Sequence, residues 1–453
     1  MSAPPTARNA ALQVLEQVER GDAYASTALD RVLSASTLSP ADRGLATELT
    51  YGVLRHQTRL DRAVAAHADR GLKRAHPMAR RALRLAAYQL LMLDRIPASA
   101  AIDEAVEAVR LGADQRTAGF VNAVLRKLSD RGEPPFPAPR DSPRAYLRDA
   151  ASLPPWIAKQ LLARFGPEDA IALGQALIER PPLTVRANRL QIDRDALAQE
   201  LRDTHPGADC RPTPFAPDGL HLTGVPDPVR TAAHRRGALE VQDEASQLVA
   251  ELLAPRPGQR ILDACAGRGG KTLHLASLTN NQATLVAADS SATKLDELRN
   301  RLAHAGAPPP VLITADLSQP CEALTSQPPF DAVLLDAPCT GLGVLRRHPE
   351  AKWRLRPEQL PQLAALQSQL LDNVARLVRP GGVLVYAVCT LTIAEGPDQL
   401  AAFLARHDHF APEPPPSSDV NWTFLLETPT TIQTLPHKHN TDAFFLSRLR
   451  RRP

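Results

Sequence analysis

The strongest constraint on the fold is an alternation of short apolar runs with amphipathic segments that begins near residue 259. The apolar runs have the length of buried strands, and the segments between them repeat apolar residues at intervals of three and four. Such alternation is typical of β-α-β units, whose strands lie parallel in one sheet. It predicts a parallel α/β domain over residues 250–453. The predicted strands are 259–264, 284–289, 311–316, 331–336 and 382–388, and the predicted helices are 271–278, 292–305, 358–378 and 396–407.

A helical region opens the chain. Up to about residue 128 the apolar periodicity is helical, which predicts an all-α bundle. Ser39 and Ser99 stand where helices are expected to begin, and Gly71 and Gly112 where they are expected to end. Residues 132–139 are too rich in proline for helix or strand. They predict a linker that closes a first domain of residues 1–140.

The region between these two domains combines both kinds of element. Residues 156–165 have a helical pattern and residues 183–188 a strand pattern. Residues 141–249 are therefore predicted to form a small α/β module. Near the carboxyl end, the proline-rich residues 412–416 predict a loop, and residues 442–449 predict an edge strand.

Size and composition exclude several classes of protein. With 453 residues, of which 43% are hydrophobic, the chain is long enough for two or three separate cores. No apolar run approaches the roughly 20 residues of a membrane span, and the amino-terminal sequence lacks a signal peptide, so we expect a cytoplasmic protein. The five cysteines include no C-x-x-C pair. This argues against a disulfide framework and against a structural zinc site, and we expect no bound metal.

Two cysteines directly follow predicted buried strands. Cys339 comes after the run that begins at Phe330, and Cys389 after the run that begins at Gly381. Because ligands bind at the carboxyl ends of strands in open α/β sheets, both thiols are expected to face one site. A free cysteine is often only a small buried hydrophobe. Two thiols on neighbouring strands favour instead a nucleophile with a second thiol beside it.

A glycine-rich turn follows the first strand of the predicted sheet, at residues 263–272. A Walker A loop would require glycine at the position of Cys265, so that motif is excluded. Asp289 and Asp316 end the next two predicted strands, where nucleotide-binding sheets place an acid for ribose hydroxyls. The turn also lacks the G-x-G-x-x-G motif of dinucleotide folds. These features favour an adenosine ligand without a pyrophosphate, such as S-adenosylmethionine.

Arginine and lysine side chains occur in three clusters, within residues 70–84, 346–356 and 448–452. The formal net charge of +4 is small for this length, but local basic clusters suit a polyanion such as nucleic acid. For any single cluster, a solvated helix face is an equally good interpretation.

The chain resembles the Sun (Nol/Nop/Sun) family of RNA cytosine-5 methyltransferases over nearly its whole length. Residues 96–106 and 119–126 resemble the NusB-type RNA-binding domain of such proteins. The resemblance implies an all-α NusB-like bundle, a small RRM-like α/β module and a Rossmann-like class I methyltransferase domain. The matching catalytic motifs are Val241-Gln242-Asp243, Asp263-Ala264-Cys265-Ala266, Gly269-Gly270-Lys271-Thr272, Asp336-Ala337-Pro338-Cys339, Arg346-Arg347-His348-Pro349, Lys352-Trp353 and Tyr386-Ala387 followed by Cys389.

The resemblance also implies a function. A bacterial member of the family methylates small-subunit ribosomal RNA, so the expected cofactor is S-adenosylmethionine and the expected partner is 16S ribosomal RNA with a single-stranded or extruded cytosine. We expect the protein to act as a monomer. Cys389 is the expected nucleophile, Cys339 the expected helper in product release, and Asp336 the expected third catalytic residue. The expected cofactor-binding residues are Cys265, Ala266, Gly267, Arg268, Gly269, Gly270, Lys271, Asp289, Asp316 and Asp336.

The chemistry of cytosine methylation requires the same residue types. Carbon 5 of cytosine is a poor nucleophile, and a thiolate that adds to carbon 6 makes it reactive. The addition places charge on the ring, which a carboxyl near N3, for which Asp336 is the candidate, would neutralise. A base inside a helix hides carbon 6, so the target must be unpaired or extruded.

The chain departs from the family pattern at a few positions, and these departures keep alternatives open. Gly267-Arg268 replaces an Ala-Pro pair in the cofactor turn, and Val388 precedes the nucleophile where threonine is common. Ala394-Glu395-Gly396 replaces Glu-Glu-Asn. One alternative is a non-catalytic RNA-binding or ribosome-assembly factor that retains the fold. Another is the same chemistry on transfer RNA.

Overall fold

A computed structural model describes residues 6–68, 71–225 and 227–453. The structure divides into two compact units. The helical unit consists of Met1–Arg180 and Leu345–Leu355, and the sheet unit consists of Pro181–Val344 and Arg356–Pro453. None of the described helices has the length and apolar character that crossing a lipid bilayer requires. The domain boundaries at residues 140 and 249 stay predictions.

The helical unit is an α-helical bundle, as its apolar periodicity predicts. Its core is built from alanine and leucine side chains, among which Leu49, Leu83 and Leu125 are fully buried. The helices are α1 (Ala7–Arg20), α2 (Ala25–Ser34), α3 (Pro40–Ala65), α4 (Pro77–Met92), α5 (Ala98–Gly112), α6 (Gln115–Arg131), α7 (Pro143–Asp149) and α8 (Pro155–Ala176).

Local capping sets the helix boundaries. The Ser39 hydroxyl accepts a backbone N–H in the first turn of α3, and Pro40 occupies the first helical position. The helix predicted to start at Ser99 is α5, which begins slightly earlier, at Ala98 directly after Pro97, whose fixed φ suits a helix start. Gly112 is the last residue of α5, close to the predicted end.

The proline-rich residues 132–139 contain neither helix nor strand, as predicted. They are nevertheless held against α3. The Arg59 guanidinium donates to the Glu133 carboxylate with an Nε–Oε2 distance of 3.0 Å. The guanidinium carbons of Arg59 and Arg62 lie 5.0 and 5.1 Å from the centre of the Phe136 ring. The linker is therefore a packed part of the helical unit.

The sheet unit begins with a four-stranded antiparallel sheet in the order β2-β3-β1-β4, which confirms the small α/β module. Leu197 and Leu201 of its helix belong to the same buried cluster as Leu220 and Leu222 of β3. Its elements are β1 (Leu183–Ala187), helix α9 (Arg194–Thr204), β2 (Asp209–Pro212), β3 (Gly219–Thr223) and β4 (Leu239–Val241).

A second, nine-stranded sheet carries the predicted β-α-β pattern. Its order is β11-β12-β13-β9-β8-β5-β6-β7, with β10 paired to β13, and strands β5 to β9 are parallel. The chain order reverses at β5, which creates a crevice at the carboxyl edge of the sheet. The strands are β5 (Arg260–Asp263), β6 (Thr284–Asp289), β7 (Val311–Thr314), β8 (Phe330–Asp336), β9 (Val378–Val388), β10 (Phe410–Glu413), β11 (Leu426–Thr428), β12 (Thr431–Gln433) and β13 (Phe445–Arg451). The helices are α10 (Glu244–Leu253), α11 (Gly270–Leu278), α12 (Ala292–His304), α13 (Gln359–Ala375) and α14 (Pro397–Arg406).

One prediction near the carboxyl end is wrong, and a second is right only in part. The segment predicted as an edge strand at 442–449 forms β13, which lies inside the sheet between β9 and β12. Phe445, Leu446 and Leu449 are buried there, so both faces of the strand are covered. The loop predicted at 412–416 is confirmed for residues 414–416, whereas residues 412 and 413 lie in β10, which pairs with β13. Proline is tolerated in β10 because this strand has only one neighbour.

Gly343 allows three segments of the sheet unit to approach one another. Its N–H donates to the Cys389 carbonyl at 3.0 Å, and its own carbonyl accepts the Ala443 N–H at 2.9 Å. A Cβ at this position would lie 1.9 Å from the Ala443 carbonyl oxygen. We expect Gly343→Ala to lower the free energy of unfolding by about 1–3 kcal/mol, because the backbone must shift to remove this overlap. Urea unfolding measures the change.

Gly44→Ala is the matched control for this substitution. A Cβ at Gly44, in α3, meets nothing within 4 Å. The control is expected to leave stability unchanged or to raise it, since alanine favours a helix interior. If Gly343→Ala unfolds at the same urea concentration as the wild type, the close approach at Gly343 is contradicted.

Candidate active site

Two cysteine sulfurs are in contact at the carboxyl edge of the nine-stranded sheet. Strands β8 and β9 run parallel with Asp336 opposite Ala387, so Cys339 and Cys389 leave neighbouring strands at the same edge. Their Sγ atoms are 3.2 Å apart. The structure therefore brings together the two thiols for which the sequence predicts a common site.

The two thiols differ in their environment. The pKa of Cys339 is raised well above its usual value by its hydrogen bond to Cys389, by burial, and by the negative charges of Cys389 and Glu395. These causes favour the protonated form of Cys339, whose sulfur lies within hydrogen-bond distance of the Cys389 sulfur. A thiolate is the form of cysteine that attacks carbon, so the protonated Cys339 is the weaker candidate for the nucleophile.

A buried ion pair lies beside the sulfurs. The Nζ of Lys271 is 2.5 Å from Oδ2 of Asp336, and the two side chains are 13% and 25% exposed. Burial alone lowers the pKa of Lys271, but the charges of Asp336 and Cys389 outweigh burial, and the pKa of Lys271 is raised. The ammonium is therefore charged at neutral pH and stabilises an anionic sulfur.

The glycine-rich turn after β5 forms a backbone cradle at the start of α11. Gly267 and Gly269 have φ values of +55° and +83°, which glycine adopts without strain. The Gly267 N–H donates to Oδ2 of Asp289 at 2.9 Å. A Cβ at Gly269 would lie 2.6 Å from the Leu298 side chain. The turn contains the predicted cofactor residues Cys265, Ala266, Gly267, Arg268, Gly269, Gly270 and Lys271.

Acidic side chains surround the first part of this turn. Burial raises the pKa of Cys265, and the negative charges of Asp263, Asp336 and Asp289 raise it further. Burial also raises the pKa of Asp263, to about 6. Asp263 is absent from the predicted site residues although it opens the motif at β5. Its burial at the end of β5 marks it as a candidate functional residue, since acids with strongly shifted pKa values concentrate at functional sites.

Two predicted cofactor residues have exposed side chains. Arg268 pairs with Glu297 of α12 at an Nε–Oε2 distance of 2.9 Å, so its charge is directed toward that helix. Asp316 lies beyond the end of β7 and accepts the Ser318 N–H at 2.9 Å, a bond that lowers the pKa of Asp316. Their roles as cofactor contacts stay predictions.

The basic cluster within residues 346–356 is built into the helical unit. Lys352 is buried, and its Nζ donates to the Arg55 carbonyl at 2.6 Å. Trp353 donates through Nε1 to the Leu54 carbonyl at 2.8 Å. Arg346 is also buried. Arg346, Lys352 and Trp353 therefore stabilise the fold instead of forming an open phosphate-binding patch.

The other two basic clusters are also engaged within the protein. Arg81 pairs with Glu19 at 2.8 Å, and Arg84 of the same cluster pairs with Asp61. In the carboxyl-terminal cluster, Arg448 and Arg450 both pair with Glu413 at 2.5 Å. Of the remaining members, Arg70 and the side chain of Lys73 lie outside what the structure describes. For these arginines, pairing within the protein is therefore a better interpretation than phosphate binding.

Asp218, Glu251 and His274 form the one group of described side chains that is close enough to hold a metal ion. The Nε2 of His274 lies 3.6 Å from Glu251 and 3.9 Å from Asp218. However, Arg189 donates to Asp218 at 2.6 Å, and the buried Arg186 interacts with both carboxylates. Two positive charges already balance the two carboxylates, so a divalent ion would add uncompensated charge to a buried site. We assign no metal here.

The nine-stranded sheet, with its crevice at the carboxyl edge of the parallel strands, is typical of α/β folds that bind a nucleotide-like ligand, and this chain joins it to a helical bundle. A family model described as 16S rRNA methyltransferase RsmB/F matches residues 250–450. The NusB family model matches residues 5–130, and a Methyltr_RsmF/B-like ferredoxin-like domain matches residues 153–228.

Curated relatives match nearly the whole chain. A probable ribosomal RNA small subunit methyltransferase B from Synechocystis is 34% identical over 98% of this chain and 99% of its own length. A protein of the same name from Bacillus subtilis is 32% identical over 98% of each chain. The ribosomal RNA small subunit methyltransferase B of Pseudomonas putida is 36% identical over 88% of this chain and 89% of its own. The chain belongs to the RsmB/F family of 16S rRNA methyltransferases, which confirms the expected membership.

Solved structures agree on the fold. The crystal structure of PH0851 has a TM-score of 0.82 and 24% identity, and the comparison covers 99% of each chain. A methyltransferase homolog from Pyrococcus horikoshii has a TM-score of 0.59 and 26% identity, over 70% of this chain and 100% of its own. NSun6 from Pyrococcus horikoshii, solved with SFG, has a TM-score of 0.58 and 22% identity, over 66% of this chain and 98% of its own.

The sulfur contact predicts a specific oxidation product. We expect mild treatment with diamide to form a disulfide between Cys339 and Cys389, because their Sγ atoms need to move only from 3.2 Å to bonding distance. Peptide mass spectrometry identifies the linked pair, and dithiothreitol should reverse the reaction. Cys210 and Cys321 serve as internal controls that stay reduced. A linkage that involves either control, or none at Cys339 and Cys389, contradicts the described geometry.

Proposed function

We propose that the protein transfers a methyl group from S-adenosylmethionine to carbon 5 of a cytosine in 16S ribosomal RNA, through a covalent bond between Cys389 and carbon 6. Membership of a family of 16S rRNA methyltransferases supports the type of substrate. The observation that carries the proposal is the 3.2 Å contact between the sulfurs of Cys339 and Cys389. A single nucleophile would not require a second thiol at this distance.

The first step activates the base. The Cys389 thiolate adds to carbon 6, and the electron pair of the carbon 5–carbon 6 double bond makes carbon 5 nucleophilic. The Lys271 ammonium stabilises the thiolate before the attack. Asp336 is the carboxylate that we assign to N3. As negative charge develops on the ring, a proton moves from the Lys271 ammonium through Asp336 to N3 and leaves Lys271 neutral.

The turn after β5 suits the methyl donor. S-adenosylmethionine, when bound, supplies an electrophilic methyl group on a positively charged sulfur. The Oδ1 of Asp263 is buried without a hydrogen-bond partner among the described residues. A cationic group of the ligand would satisfy this atom, since an unpaired buried carboxylate oxygen is costly. We assign Asp289, which already orders the turn through Gly267, to the ribose hydroxyls.

Product release requires the second thiol. After transfer, carbon 5 still carries its hydrogen, which must leave as a proton before the bond from Cys389 to carbon 6 breaks. The hydrogen bond from Cys389 and its negative charge both raise the pKa of Cys339 in the free enzyme. Both are lost once Cys389 is bonded to carbon, so the pKa of Cys339 falls. Cys339 then loses its proton to solvent and takes the proton from carbon 5. The freed electron pair restores the double bond and expels Cys389 as a thiolate, and the N3 proton returns through Asp336 to Lys271.

Methyl transfer to 16S ribosomal RNA from labelled S-adenosylmethionine, with cysteine variants, tests this mechanism. We expect Cys389→Ala to lose transfer by a factor of about 10³ or more and to form no adduct, because it lacks the nucleophile. Cys339→Ala should accumulate a protein–RNA adduct that survives denaturing electrophoresis, since release is blocked. Cys321→Ser, which alters a thiol outside the assigned site, should react at the wild-type rate.

Further outcomes distinguish the alternatives. Bisulfite sequencing of cellular RNA from cells with and without the gene locates the modified cytosine. Loss of a methylated position in 16S ribosomal RNA supports the proposal, and loss of one in transfer RNA assigns the same chemistry to that substrate. If the wild-type protein binds ribosomal RNA but transfers no methyl group, a non-catalytic assembly role replaces the proposal.

A further inference from the structure

We propose that Glu395 is the positioning residue that holds the loops of Cys339 and Cys389 together, so that the two sulfurs remain at reacting distance. The inference rests on the proposed function, in which both thiols act on one base. Glu395 does not touch a sulfur itself. It binds the residue that follows each cysteine, Thr340 and Thr390.

The Glu395 carboxylate is fully buried and is the centre of a hydrogen-bond network. Its Oε1 accepts the Thr340 N–H at 2.7 Å, and its Oε2 accepts the Thr340 hydroxyl at 2.6 Å. Oε2 also accepts the Thr390 hydroxyl at 2.5 Å. One side chain therefore tethers both cysteine loops, in addition to the direct contact between the Thr340 and Thr390 hydroxyls at 3.3 Å and the bond from the Gly343 N–H to the Cys389 carbonyl.

Two further donors complete the network. The Thr392 hydroxyl donates to Oε2 at 3.0 Å, and the Gln367 amide donates to Oε1 at 3.1 Å. Five donors thus converge on two oxygens, which matches a carboxylate because it only accepts hydrogen bonds. Glutamine at position 395 would present its own N–H groups to some of these donors. Aspartate is one methylene shorter and would not reach both loops.

The backbone of Glu395 is fixed independently of its side chain. The Tyr386 hydroxyl of β9 donates to the Glu395 carbonyl at 2.6 Å. A Cβ at the adjacent Gly396 would lie 2.9 Å from the Phe445 ring, so the chain passes close to β13. The backbone that carries the Glu395 side chain is therefore held in one position. A rigid anchor fixes the distance between the two loops, which a flexible one would not.

The network also affects the chemistry of one thiol. The negative charge of Glu395 is one of the causes that raise the pKa of Cys339. Removing the charge is therefore expected to lower the pH at which Cys339 ionises. A residue that only filled space would leave this pH unchanged.

The test compares Glu395→Gln and Glu395→Asp with the wild type in the full-length protein. The rate of diamide-induced disulfide formation between Cys339 and Cys389 is the first readout, because it measures the sulfur distance without substrate. We expect the rate to fall at least tenfold in both variants. The single-turnover rate of methyl transfer should fall about 10²-fold, as for a misplacement of about 1 Å, with the KM for RNA nearly unchanged.

A pH profile separates positioning from a loss of structure. The rate of iodoacetamide alkylation of Cys339 is measured against pH in two proteins, Cys389→Ser alone and Cys389→Ser combined with Glu395→Gln. The midpoint of the profile should lie at lower pH in the double variant. Thr279→Val removes an equally buried hydroxyl whose hydrogen bond lies at the end of α11, and it should leave all three readouts unchanged. If Glu395→Gln does not fold, Thr390→Val removes one tether at nearly constant volume and must slow disulfide formation.

The results of these experiments test the positioning role of Glu395 independently of the proposed methyl transfer. Slower disulfide formation in the Glu395 variants supports positioning even if the wild-type protein methylates no RNA, in which case only the proposed function fails. Wild-type disulfide rates in Glu395→Gln and Thr390→Val overturn the inference. A loss of transfer with unchanged disulfide rate and unchanged Cys339 midpoint overturns it as well.

Discussion

The parallel register of β8 and β9 is the constraint on which the rest of the site depends. Because Asp336 lies opposite Ala387, the segments that carry Cys339 and Cys389 leave the sheet side by side. A shift of one residue would turn one sulfur to the other face of the sheet. The register also determines which residues follow the cysteines, and these residues meet at Glu395.

The charged side chains at the sheet edge give the two thiols different surroundings. Lys271 interacts with Asp336 and with Cys389, and so favours an anion at that sulfur. Cys339 faces Glu395 and the negative charge of Cys389, which favour its protonated form. The same two side chains would be interchangeable in a neutral environment. The proposed division into nucleophile and proton acceptor therefore rests on the surroundings of each sulfur.

Local periodicity was sufficient to predict the five parallel strands and the bundle, because burial of one helix face or of a whole strand leaves a regular pattern. Contacts distant in sequence were not predictable in this way. Lys352 belongs to a basic cluster in the sequence, yet it is buried against the carbonyl of Arg55, 297 positions away. The role of Glu395 was equally hidden, since its partner Thr340 lies 55 positions away. β13 lies inside the sheet because β12 pairs with its second edge, and no pattern in the sequence predicts β12.

The most direct test of the account is to react the protein with ribosomal RNA that contains 5-fluorocytosine, in the presence of S-adenosylmethionine. Fluorine at carbon 5 cannot leave as a cation, so the bond between enzyme and base cannot be resolved after methyl transfer. The account predicts a stable protein–RNA complex in which mass spectrometry finds the methylated base attached to Cys389. Attachment to Cys339, or methyl transfer without a covalent complex, would contradict it.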